Sequence, residues 1–156
     1  MAETGQSVVE AVISLVEANV SDINTERAAR TPAGKWVYDE QDRADVVGYP
    51  RVRIANPTSN SEPHSLHSNE QRFKPRVEVQ IRVKKNDKYL IAAATYRDIQ
   101  AVDYLSKQIT DVLRLTASRE SLLSSDSVFY FELEAENTIY GEIITRQLIY
   151  KTVLVR

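Results

Sequence analysis

Over eight consecutive positions, Arg76-Val77-Glu78-Val79-Gln80-Ile81-Arg82-Val83, polar and apolar residues alternate without interruption. Successive side chains of a strand point to opposite faces, so this run fits a β-strand with one apolar row and one charged row. The row Val77, Val79, Ile81 and Val83 then has to be covered by a second layer. Two segments with helical period supply it.

The first follows Ser7-Val8-Val9-Glu10, a capping-box pattern that predicts a helix over about residues 8–20. Its stripe is Val9, Val12, Ile13, Val16 and Val20. The second runs from Arg97 to Thr116 with Val102, Leu105, Ile109, Val112 and Leu113 on one face, and Asp98 near the positive end of its dipole. Three further runs read as strands. Tyr49–Pro57 lies between prolines with Val52 and Ile54 inward. Val128–Glu136 places Phe129, Phe131, Leu133 and Ala135 inward and Tyr130, Glu132, Glu134 and Glu136 outward, and Asn137–Gly141 supplies a hairpin turn. In the last run, Ile143–Val155, Leu148, Tyr150, Thr152 and Leu154 share one face, and Ile149, Lys151, Val153 and Val155 the other.

Trp36–Tyr38 is a candidate short strand within an otherwise irregular arm at about 24–48, and 56–72 reads as a long polar loop. Asn86-Asp87 marks a turn, and Tyr89–Ala94 fits a strand end and a helix start equally well. At 156 residues, 42% hydrophobic and 27% charged, residues 1–156 are expected to form one domain of α+β class. The expected architecture is a mainly antiparallel or mixed sheet packed against two helices, with long loops.

Zero cysteines exclude disulfides and thiolate metal sites. Residues 1–20 lack a basic n-region and are interrupted by Glu10 and Glu17, so neither a signal peptide nor a membrane span is expected there. His64 and His67, the only histidines, stand three apart beside Glu62 and Glu70. A Ser-rich loop offers poor support for the three or four fixed ligands a transition metal needs, so solvated histidines are expected. Asp39, Glu40, Asp42 and Asp45 lack the glycine and ligand order of a calcium loop. No serine lies in a nucleophile-elbow frame, and Gly34-Lys35 lacks a phosphate-loop framework. Neither an enzyme nor a cofactor is expected.

The net charge of −2 hides an uneven distribution. Residues 1–50 hold nine acids against four bases. Residues 72–88 hold a candidate basic patch of Arg72, Lys74, Arg76, Arg82, Lys84, Lys85 and Lys88 against Glu78 and Asp87. Glu132, Glu134 and Glu136 form a candidate charge band that either lines a lumen or pairs with Arg76, Arg82 and Lys84 across the sheet. The second apolar row of the last strand, Ile149, Lys151, Val153 and Val155, is a candidate oligomer interface. Eight tyrosines against three phenylalanines also suit a chain that contacts neighbours.

The element order is an N-terminal amphipathic helix, the Tyr49-Pro-Arg-Val-Arg-Ile54 strand, a long loop, the Arg76–Val83 strand, the Tyr104–Leu113 helix and two C-terminal strands. It resembles the tail terminator, or tail completion, proteins of long-tailed phages and related tailed archaeal viruses, over about residues 7–156. The resemblance implies a virion protein of the tail and neck, assembled in the host cytoplasm. Six copies would form a ring on the tail tube protein, end tube polymerisation and meet the head–tail connector or head-closure protein. DNA would pass transiently through the lumen at ejection, with no membrane partner. Another neck component, a head-closure or adaptor protein, is an alternative. So are a small nucleic-acid-binding module acting through 72–88 and an unrecognised small enzyme.

Overall fold

The computed structural model describes residues 5–29, 34–39, 48–56, 61–63, 71–73, 76–114 and 127–155. The alternating run is strand β5 (Arg76–Lys84), and its four apolar residues are fully buried. β5 pairs antiparallel on one side with β2 (Arg51–Ala55), setting Val52 opposite Ile81 and Ile54 opposite Val79. On the other side it pairs antiparallel with β9 (Ile143–Val155), setting Val77 opposite Tyr150 and Val79 opposite Leu148. Paired residues share a face, so one continuous apolar face runs across three strands.

Two helices cover that face. α1 (Gly5–Asn19) buries Val8, Val9, Val12 and Val16, followed by Val20 just past its end. α3 (Asp98–Arg114) buries Ala101, Val102, Leu105, Ile109, Val112 and Leu113. Ser7 lies inside α1 rather than at its cap, because the helix already includes Gly5. Ile13 is only half-buried; Val8 takes its place in the stripe. The fold is α+β, as expected.

Among the described residues the sheet has seven strands. β1 (Val37–Tyr38) joins β2 in parallel, so the short strand expected around Trp36 is present. β8 (Ser127–Ile139) pairs antiparallel with the far side of β9 and forms that edge of the sheet. The segment 56–72 is not a continuous loop. It contributes β3 (Ser61–Pro63), and β4 (Gln71–Phe73) follows, with β4 pairing beyond β5 along β9. A sheet edge supplies backbone partners regardless of side-chain polarity, so a polar segment can be recruited by it. Tyr89–Ala94 resolves into a hairpin of β6 (Lys88–Ile91) and β7 (Ala94–Arg97). Its two-residue turn, Ala92-Ala93, has φ of +49° and +67°.

The arm at 24–48 begins with a buried polar knot instead of an irregular loop. α2 (Thr25–Ala28) is capped by Asn24, whose Oδ1 accepts from the Arg27 N–H at 3.0 Å. Arg27, 2% exposed, donates from Nε and Nη2 to the two Asp22 carboxylate oxygens at 2.7 Å each, and from Nη2 to Pro50 O at 2.7 Å. Asn24 Nδ2 donates to Tyr49 O at 2.8 Å. Gly48 makes room for this contact: at φ +73°, a Cβ would lie 3.2 Å from Asn24 Nδ2. A fully paired arginine fork satisfies a burial that an isolated charge would make costly.

Candidate interaction surface

The face of the sheet opposite the helices is charged. The register places Arg51 opposite Arg82, Arg53 opposite Gln80 and Ala55 opposite Glu78 on β2–β5. On β5–β9 it places Arg76 opposite Lys151, Glu78 opposite Ile149 and Gln80 opposite Gln147. Both long helices pack on the other face, so among the described residues no helix covers this one. Like charges directly opposite destabilise a sheet, and local partners divert them. Arg51 donates from Nε to Gly48 O at 2.7 Å and stacks over the Tyr49 ring at 4.5 Å. Glu78 accepts from Gln80 and lies 3.8 Å from Arg53.

β8 departs from simple alternation. Leu133 pairs with Tyr150 and Ala135 with Ile149, so Glu134 is an extra residue in a β-bulge. A one-residue insertion reverses which residues meet which face. Glu132, opposite Lys151, is on the open face; Glu136, opposite Leu148, is on the helix face. The three glutamates therefore do not project from one face, and Ala135 points outward and is exposed. Each carboxylate has a cation within ion-pair distance. Glu132 lies 3.6 Å from Lys151, Glu134 3.0 Å from Arg76, and Glu136 3.5 Å from Arg146. Arg146 also binds Asp103 of α3, which joins β8 to the helical layer.

In the candidate oligomer row, Ile149 is half-buried and Lys151 exposed, both on the open face; the side chains of Val153 and Val155 lie outside the described residues. The basic patch does not form one surface. Arg76 and Arg82 lie within the open face, with Arg82 donating to Gln80 Oε1 at 3.0 Å. Lys84, Lys85 and Lys88 are exposed where β5 turns into β6. Arg72 belongs to β4, and Lys74, His64 and His67 lie outside the described residues. Sequence reasoning did not single out Ile139 and Tyr140, which protrude at the β8–β9 turn. Their signal was an adjacent pair of large apolar residues inside an expected turn.

Among the described residues three groups have displaced pKa values. Burial pushes the Tyr150 phenol up to about 12, although its 2.7 Å hydrogen bond with Thr110 acts the other way. Burial, reinforced by Asp87, whose Oδ2 accepts from the hydroxyl at 3.1 Å, holds Tyr89 well above the ordinary tyrosine range. Asp98 is held low because its carboxylate accepts from the backbone N–H groups of Asn86 and Ile99, at 2.9 and 2.6 Å. This ties the β5–β6 turn to the start of α3. All three displacements follow from packing and local hydrogen bonds. Among the described residues no three His, Cys, Asp or Glu side chains converge as a metal site. No helix among them is long and apolar enough to cross a membrane.

No protein-family profile and no curated protein sequence matches the chain. Among solved structures, it is similar to a chain described as belonging to the virion of a native gene transfer agent particle. The TM-score is 0.60 and the identity 10%, over 94% of this chain and 93% of that chain. The fold is shared along nearly the whole length of both. At this identity the likeness speaks for the architecture alone.

Proposed function

We propose that the chain is a structural protein of a virion, a tail terminator that forms a ring, of six copies by the family resemblance, on the end of the tail tube. The ring stops tube growth, joins the tail to the head connector and leaves an axial passage for DNA. It works by contact and carries out no catalysis. The observation that supports this reading most is the near end-to-end fold match to a chain of a gene transfer agent virion. It agrees with the element order read from the sequence, which resembles tail terminators.

The open sheet face fits the same role. A charged face with a half-buried Ile149 at its centre suits a reversible protein contact better than a substrate pocket. Particles assembled without this chain are expected to show tail tubes of uncontrolled length and heads without tails. Tails of normal length joined to heads in its absence would overturn the proposal.

A further inference from the structure

The charges of the open face sort into two halves. Towards β8 and β9 the cations stand beside acids: Arg76 Nε lies 3.0 Å from Glu134, and Lys151 lies 3.6 Å from Glu132. Arg53, nearer the middle, lies 3.8 Å from Glu78. Ile149, opposite Glu78, belongs to this neutralised half. At the other end, where β2 begins and β5 finishes, Arg51 stands directly opposite Arg82, and Lys84 follows two residues further along β5. β9 adds no acid there, since it sets Thr145 opposite Arg82 and Ile143 opposite Lys84.

The two arginines touch neutral groups. Arg51 donates to Gly48 O and lies over the Tyr49 ring, and Arg82 donates to the Gln80 amide oxygen. Among the described residues neither has a carboxylate within ion-pair distance. Like charges directly opposite each other destabilise a sheet, and neutral acceptors do not cancel the repulsion. An anion laid across both guanidiniums does, because their planar forks match the oxygens of a phosphate or carboxylate.

Two properties of the surroundings select the anion. Both arginines are half-buried on a sheet face that no helix covers among the described residues, which suits a polyanion lying across the face better than a small ion that has to be enclosed. Their nearest neighbours in register, Arg53, Gln80, Thr145 and Lys84, are all polar or charged. A protein partner needs an apolar centre to its contact, whereas nucleic-acid interfaces are polar and strongly positive.

We infer that Arg51 and Arg82, extended by Lys84, form a binding site for the phosphodiester backbone of nucleic acid. Lys84 stands at its rim, because it also borders a cavity lined by Glu26 and Asp87. Contacts to phosphate alone carry no sequence information, so the site binds without sequence preference. The assembly reading above assigns no residue to DNA; this site goes beyond it and needs no ring.

Fluorescence anisotropy of a labelled DNA duplex of mixed sequence, titrated with the full-length chain at several salt concentrations, tests the site. Two to three phosphate contacts give a slope of log affinity against log salt of about −1.8 to −2.7, or about 10- to 40-fold weaker binding for a fourfold rise in salt. Arg51→Gln and Arg82→Gln should each flatten the slope by about 0.9. Arg82→Lys, which keeps the charge, should preserve it, and so should Arg76→Gln, whose cation Glu134 already matches. Lys84→Gln, at an exposed position, should flatten it in the same direction and serves if an arginine variant fails to fold. No binding at low salt would overturn the proposal, as would a slope indifferent to both arginines and Lys84. Displacement of the duplex by inorganic phosphate at matching phosphate concentration would mark a small-anion site, and tighter binding of poly-L-glutamate than of the duplex an acidic protein; either result overturns it. All of these failures leave the assembly reading standing.

Discussion

The two faces of the sheet are built from the same strands, yet they do opposite things. On the helix side, Val52, Ile54, Val77, Val79, Ile81 and Leu148 are at most 1% exposed, and almost every polar group that enters is paired. Thr152 Oγ1 is an exception, with no hydrogen-bond partner. On the open side, residues one position away along each strand, Arg53, Arg76, Gln80, Arg82 and Lys151, meet cross-strand partners and solvent. The strand period thus separates two environments: one face holds the subunit together, and the other is left without a covering helix among the described residues.

The largest test of this division uses adjacent residues of β5. Ile81→Ala should cost about 2–5 kcal/mol, the range for emptying a buried aliphatic site. Arg82→Ala should cost less, about 0.5–1.5 kcal/mol, because its guanidinium donates to a neutral amide oxygen on a half-exposed face where water can replace the partner. Urea unfolding measures both. Equal losses would mean that the open face is part of the core.

A second test uses pH. The Tyr150 pKa is raised from 10.0 to about 12, so the fold favours the neutral phenol. That contribution is fully present below pH 10 and is lost as pH rises from 10 towards 12. Two units correspond to about 2–3 kcal/mol. Comparing urea midpoints at about pH 9 and about pH 11, the unsubstituted protein should lose more stability than Tyr150→Phe. An identical pH dependence in the two proteins would show that this buried hydroxyl does not couple to folding.

The smallest effects belong to the glutamates of β8. Glu132→Gln removes an exposed cross-strand pair with Lys151 and should cost only about 0.2–1 kcal/mol. Glu136 shares Arg146 with Asp103, so a double-mutant cycle between Glu136→Gln and Asp103→Asn should show coupling, whereas Glu132→Gln with Asp103→Asn should be additive. Coupling in both cycles would contradict the placement of Glu132 and Glu136 on opposite faces.

What was legible in the sequence follows from the same division. β5 and α3 were readable because their apolar positions repeat at 2 and at 3.6 residues over long runs. The bulge at Glu134 was not, since one inserted residue leaves the polar and apolar letters alternating while the register moves beneath them. The β6–β7 hairpin was hidden by its turn. Alanine at two left-handed positions replaces the Asn-Gly pair that such turns favour. The Asp22–Arg27–Asn24 knot gave no period at all, because its logic lies in hydrogen bonds to Tyr49 and Pro50 more than twenty residues away. Of the candidate surface, the residue types were readable, but their distribution between faces needed the register.

In the proposed role this subunit closes into a ring at the end of a tail tube, using the open face that its own helices leave uncovered. Electron-microscopic class averages of tail tubes mixed with the purified chain test it most directly. A closed ring with an axial hole is expected at one tube end and none along the wall, and it should be lost in Ile149→Lys protein that unfolds at the unsubstituted urea midpoint. Bare tube ends, or subunits scattered along the wall without a ring, would contradict it.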